Sequence, residues 1–125
     1  MFTARQVGTN VPVTIKQMNR DEQPEEYLIN DILMMRASHH ENIISYIDSF
    51  IYKNQLWVVM EYMEGSSLKD VILANWIWMK EDQIATVSRE VAQALQHLHA
   101  LSIIHRDVKS DNVLLDRSGI IKLSS

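Results

Sequence analysis

The sequence predicts an α+β chain in two parts, and three observations carry that reading. Runs between residues 11 and 62 alternate apolar and polar side chains with period two. Residues 80–101 instead repeat apolar side chains every three or four positions. The short run Met63-Glu64-Gly65-Ser66 falls between the two patterns and reads as a hinge. The expected division is 1–62, a hinge at 63–66, and 67–125.

Val11, Val13 and Ile15 share one face of a first strand. Pro24 then suits the opening of a helix, where its missing N–H is no loss. Glu25 and Glu26 complement the positive end of the dipole, and Leu28, Ile32 and Met35 lie at helical spacing. Tyr46–Tyr52 and Gln55–Tyr62 are β-rich runs joined at Lys53-Asn54, a hairpin signal. These elements make an antiparallel sheet with one helix. Ile84, Val87, Val91, Ala94, Leu95 and Leu98 mark a long amphipathic helix from about Lys80 to Leu101. Lys80 stands at its cap, leaving Glu81 and Asp82 to favour the dipole. The apolar stripe reads as core, which holds the loop that follows it rigid. Val113-Leu114-Leu115, a turn over Asp116-Arg117-Ser118-Gly119, and Ile120-Ile121-Lys122-Leu123 close the chain as a short hairpin.

A chain of 125 residues is long enough for one ordinary domain, which buries roughly two thirds of its unfolded surface. The absence of cysteine excludes disulfides and Cys-based zinc sites, and is compatible with a reducing compartment. Net charge is −4 with acids and bases interspersed, so neither nucleic acid nor an anionic membrane surface is an expected partner. No apolar run approaches the roughly 20 residues that span a bilayer, and Met1-Phe2-Thr3-Ala4-Arg5 lacks the apolar stretch of a signal peptide. The expected location is cytoplasmic.

Residues 105–112, His-Arg-Asp-Val-Lys-Ser-Asp-Asn, carry the chemistry. Phosphoryl transfer from a nucleotide needs a carboxylate near the attacking hydroxyl, which Asp107 offers. It needs a cation near the migrating charge, which Lys109 offers. It also needs an oxygen ligand for the magnesium that neutralises the phosphates, which Asn112 offers. Taken alone, such a string is an ordinary solvated loop, and context decides.

That context is Val13-Thr14-Ile15-Lys16-Gln17-Met18-Asn19, Leu56-Trp57-Val58-Val59-Met60-Glu61-Tyr62, Gly65-Ser66-Ser67-Leu68, and His105 through Leu115, in this order. Together they resemble a eukaryotic Ser/Thr protein kinase of the sterile-20-like group, in its PAK branch, over nearly the whole chain. The resemblance implies a truncated bilobal fold, an antiparallel sheet plus one helix as N-lobe followed by the start of a mainly helical C-lobe. Met1-Phe2-Thr3-Ala4 resembles the tail of the second kinase strand, and Lys122-Leu123-Ser124-Ser125 stops where the metal-binding Asp-Phe-Gly is expected. ATP and Mg are the implied cofactors, and protein Ser/Thr hydroxyls and signalling proteins the implied partners. Asp107, Lys109 and Asn112 are then catalytic, with Asn112 also the metal ligand. Lys16 reaches the α- and β-phosphates, Glu61 and Met63 offer backbone groups to adenine beside Met60, and Leu114 supplies the pocket floor.

Four departures from the family pattern are read from the chain. Asp31 stands where a glutamate from the helix pairs with the lysine, one methylene shorter. Thr14 replaces a small alanine against adenine, and a buried hydroxyl without a partner costs about 1–3 kcal/mol, so nucleotide affinity should fall. Ser125 falls on the metal-binding aspartate, and its hydroxyl cannot replace a carboxylate that bridges magnesium to phosphate. The phenylalanine expected to pack beneath Met35, Phe50 and His105 is absent. Little or no phosphotransfer is expected from the 125 residues alone. Two other readings stay open, a non-catalytic pseudokinase-like binding module and a truncated product without settled function. Trp76-Ile77-Trp78 reads either as a partner-binding patch or as a badly packed loop, and His39-His40-Glu41-Asn42-Ile43 as a loop rather than a metal site.

Overall fold

Four strands form one antiparallel sheet in the order β1 (Phe2–Arg5), β2 (Pro12–Asn19), β4 (Gln55–Glu61), β3 (Tyr46–Tyr52). The structure is a computed structural model and describes residues 1–74 and 79–124. The expectations on Trp76-Ile77-Trp78 and on Ser125 lie outside the described residues.

The β3–β4 hairpin turns on Lys53 and Asn54, whose φ values of 47° and 60° are both positive. Tyr52 pairs with Gln55 across them, so this is a two-residue loop with the backbone twist that matches the twist of the strands. Alternation along β4 is complete: Leu56, Val58 and Met60 are buried, while Gln55, Trp57, Val59 and Glu61 are half-buried. Because paired residues share a face, Thr14, Lys16 and Met18 lie on the face of Met60, Val58 and Leu56. Val11 departs from the reading, standing before β2 and exposed.

Helix α1 (Glu25–Ala37) begins after Pro24 as its sequence predicts, and Leu28, Met34 and Met35 are its buried residues. It ends where Ser38 turns its hydroxyl back on the Met34 carbonyl, a local bond that competes with continued helix. Phe50 was expected beside Met35. Pairing with Trp57 instead places it on the face opposite Met60, with its ring stacked on the indole at 5.7 Å and Phe2 and Tyr52 edge-on to the same indole.

Two compact units result. One comprises Met1–His39 with Ser45–Tyr62, and the other His40–Ile44 with Met63 onward. In the second, strands β5 (Gly65–Ser67), β6 (Val113–Asp116) and β7 (Ile121–Leu123) form an antiparallel sheet in that order. No alternation announces β5. Gly65 sits so close to β6 that an added Cβ would overlap the Leu115 carbonyl oxygen. Helix α2 (Leu68–Ala74) follows at once, opened by a reciprocal cap. The Asp70 amide donates to Ser67 Oγ at 3.1 Å, and the Ser67 amide donates to Asp70 Oδ2 at 3.3 Å.

Helix α3 (Glu81–Ala100) packs on β7 and buries Ala94 and Leu98. Its start is secured from an unexpected side, since Gln83 Oε1 accepts the Lys80 amide at 3.0 Å. The stripe is covered unevenly: Val87, Val91 and Leu95 are half-buried and Ile84 is exposed. The β6–β7 turn is held by Asp116, whose Oδ1 accepts the Ser118 hydroxyl at 2.7 Å and the amides of Ser118 and Ile120, both at 2.9 Å. These bonds, the Ser118 hydroxyl first, hold the Asp116 carboxyl below its ordinary range. Gly119 takes the positive φ of 90° that the turn needs. Residues His40–Ile44, from between α1 and β3, pair with β7. The Leu123 amide donates to the Asn42 carbonyl at 2.7 Å, and the Ile44 amide to the Leu123 carbonyl at 3.1 Å.

Candidate active site

Asp107, Lys109 and Asn112 are brought together. Lys109 Nζ lies 3.1 Å from Asp107 Oδ2, and Asn112 Nδ2 donates to the same oxygen at 3.0 Å and to the Asp107 carbonyl at 2.8 Å. The sequence folds this way because a 3-10 turn at Ser110–Asn112 follows the extended Lys109. The Asn112 amide closes that turn on the Lys109 carbonyl at 2.9 Å, which swings Asn112 back over Asp107. Lys69 of α2 steadies the turn from outside, 3.2 Å from Asp111 Oδ1.

From the other side the loop is fixed by His105. The Asp107 amide donates to His105 Nδ1 at 3.1 Å, so Nδ1 is the acceptor and the ring proton is on Nε2. Nε2 then donates to the Ser124 carbonyl at 2.7 Å, and the Ser124 amide donates to the Asn112 carbonyl at 2.8 Å. A closed circuit therefore runs His105, Asp107, Asn112, Ser124. Between its members Arg106 adopts φ 72°, a left-handed conformation that costs a non-glycine residue about 1–3 kcal/mol and persists where its surroundings over-determine it.

The electrostatics follow from this geometry. The Lys109 hydrogen bond, helped by Asn112, holds the Asp107 carboxyl below its ordinary range against a smaller opposing effect of desolvation. Asp107 is thus an anion at neutral pH and well into mild acid. It is exposed, so a substrate hydroxyl can reach it.

The chemistry of the donor set fits magnesium. With Asn112 Nδ2 committed to two Asp107 oxygens, its amide oxygen is the group left to a cation, and a hard neutral oxygen beside a carboxylate suits that ion. Among the described residues no group of three His, Cys, Asp or Glu side chains could hold a metal.

The remaining candidates are placed element by element. Thr14 and Lys16, both half-buried, share a sheet face with the buried Met60, and Thr14 is directly opposite Met60. Glu61 donates its amide to the Ser45 carbonyl at 3.0 Å and accepts the Ser45 amide on Oε1 at 2.7 Å, fixing the end of β4. Asp31, half-buried on α1, forms no ion pair among the described residues. Met63 and Leu114 belong to the second unit, Leu114 on β6 opposite Ser67. The cap of α2 carries the signature Ser67-x-x-Asp70 but no periodicity around it, and the role of Ser124 is marked by no motif.

This fold and this loop are those of a protein kinase domain, and the comparison with known families agrees: the protein kinase domain matches residues 1–124. The chain belongs to that family. It is 60% identical over 125 residues to the serine/threonine-protein kinase SMU1 of Mycosarcoma maydis, covering 99% of this chain and 16% of that protein. It is 51% identical to shk1/pak1 of Schizosaccharomyces pombe and 50% identical to STE20 of Saccharomyces cerevisiae, again over 99% of this chain, with 19% and 13% of those proteins covered. The chain thus spans under a fifth of the length of these relatives. Among the described residues no helix is long and apolar enough to cross a membrane.

Proposed function

We propose that these residues are part of the catalytic domain of a cytoplasmic Ser/Thr protein kinase that transfers the terminal phosphoryl group of ATP to Ser/Thr hydroxyls of a protein substrate, with signalling proteins as partners. The observation that carries this is the Asp107–Lys109–Asn112 cluster, held at 3.1 Å and 3.0 Å. Asp107, kept anionic, accepts a hydrogen bond from the substrate hydroxyl and orients its lone pair for attack. As the oxygen–phosphorus bond forms and the bond to the nucleotide breaks, Asp107 takes up the hydroxyl proton. Lys109 balances negative charge on the migrating group. Asn112 would hold magnesium, which supplies charge neutralisation when bound. Lys16 is assigned to the nucleotide phosphates, the backbones of Glu61 and Met63 to adenine, and Leu114 to the pocket floor. Residues 1–62 and 67–125 would form the two lobes, joined at 63–66. Thr14 and the shorter carboxylate of Asp31 weaken nucleotide binding.

A non-catalytic reading is favoured by one observation, that Asp31 forms no ion pair among the described residues. A chimaera separates the two, made by replacing the matching segment of the Saccharomyces cerevisiae STE20 kinase with residues 1–124. The expected result is radiolabel transfer from ATP to Ser/Thr substrates, increased by Thr14→Ala and by Asp31→Glu. A folded chimaera that stays silent with both reversions would establish the binding-module reading instead.

A further inference from the structure

Outside the proposed active site, one cluster joins buried polar groups to ionisable ones. It is built on the segment His40–Ile44, which the second unit takes in from between α1 and β3. His40 Nδ1 accepts the Asn42 amide at 3.0 Å. Asn42 is buried, and its Nδ2 donates to Glu90 Oε2 at 2.5 Å and to the Ile121 carbonyl at 2.9 Å. The His40 ring lies against the His97 ring of α3, centroids 4.9 Å apart and planes tilted by 36°. Two atoms here, His97 Nε2 and Asn42 Oδ1, are buried without a hydrogen-bond partner among the described residues.

We infer that His40–Ile44 is a pH-sensitive clasp on the catalytic loop, closed while His40 is neutral and loosened when it is protonated. The acceptor role of His40 Nδ1 requires a lone pair there, with the ring proton on Nε2. A second proton removes that lone pair, leaving the amide of the buried Asn42 unpaired. It also places a cation against the ring of His97, at 4.9 Å between centroids. Glu90 is close enough to interact with a charge on His40 and favours it; Arg89 is paired with Glu90 at 2.9 Å, His97 lies ring to ring with His40, and Lys122 stands on β7. His39 and Glu41, neighbours in the loop, are exposed. Glu90 itself remains an anion, since its hydrogen bonds to Asn42 and then to Arg89 hold its carboxyl below the ordinary range.

The consequence reaches the catalytic loop by a short path. Asn42 accepts the Leu123 amide, Ile44 donates to the Leu123 carbonyl, and the next residue, Ser124, bonds both His105 and Asn112. Releasing the clasp therefore frees the strand end that closes the His105–Asp107–Asn112 circuit. This rests on the proposed function only in calling that loop catalytic, because the clasp can be read without any activity.

The test is amide hydrogen exchange at Leu123 and Ile44 in the 125-residue chain, expressed as protection factors so that the intrinsic pH dependence of exchange cancels. Val58, in the other unit, serves as internal reference. Between about pH 7.5 and about pH 5.5 protection at Leu123 and Ile44 should fall about tenfold relative to Val58, the scale expected for stranding one buried amide. His40→Asn retains a side-chain oxygen able to accept an amide two residues on but does not titrate, so its protection should stay high at both pH values. His40→Phe removes the acceptor, so its protection should be low at both. A pH-independent wild-type ratio, or a fall in His40→Asn matching that of the wild type, would overturn the clasp. Either result would leave the kinase assignment untouched.

Discussion

Asp107 and Lys109 are both half-exposed, yet they meet Asn112 in a fixed arrangement, because each is tied to backbone that is itself bonded on both sides. This arrangement makes a testable statement about charge. Since the folded-state carboxyl of Asp107 is lowered, its contribution to stability is present above the ordinary carboxylate range and is lost as pH falls through the lowered value. Lys109→Met removes the largest cause of the lowering. The Asp107 carboxyl carbon, followed by NMR, should then titrate at higher pH than in the parent chain. An unchanged midpoint would mean that Lys109 does not hold the carboxylate in solution. At this scale the candidate site was legible in the sequence because Asp107, Lys109 and Asn112 fall within eight residues, where local turns suffice to bring them together. His40 with His97, and Asn42 with Glu90, were not legible. Their contacts exist only once the segment after α1 has joined the second unit, and no spacing rule reports such a meeting.

Elements were legible where one face is buried and the termini carry their own chemistry. The hairpin at Lys53-Asn54 and the start of α1 after Pro24 are of this kind. The three-residue β5 was not, for it has too few side chains to show a period, and its edge is set by the approach of Gly65 to Leu115. That closeness predicts the effect of Gly65→Ala. A methyl group in the position of the Leu115 carbonyl must push β5 from β6, which should destabilise the second unit by about 1–3 kcal/mol. Denaturant titration monitored in that unit checks this. A variant as stable as the parent would show that β5 moves aside without loss, and that the cap at Ser67 and Asp70 alone places α2.

For the whole chain the decisive quantity is apolar surface left in water. Ile84 is 50% exposed on α3, and Val87, Val91 and Leu95 of the same stripe are only half-buried. At about 25 cal/mol per Å² of apolar area, several such side chains forgo several kcal/mol, a large part of the roughly 5–15 kcal/mol by which domains are stable. The purified 125-residue chain should therefore self-associate at micromolar concentrations, with the first unit better protected than the second. Analytical ultracentrifugation with hydrogen exchange tests both statements. A monodisperse monomer with strongly protected Val91 and Leu95 amides would show that the stripe needs no cover. The helical pattern of α3 was legible at once, but which side chains along it find partners depends on the molecule as a whole.

The central proposal is that Asp107 takes up the proton of the substrate hydroxyl. The most direct test compares radiolabel transfer to a Ser/Thr substrate by the STE20 chimaera carrying residues 1–124 with transfer by its Asp107→Asn form, at equal fold content and saturating magnesium-ATP. A positioned base contributes about 10²–10⁴-fold, so the substituted chimaera should fall by at least the lower figure, while Asp116→Asn, a change in the turn, should not. A loss of less than about threefold in Asp107→Asn, well under the smallest contribution of such a base, would contradict the account.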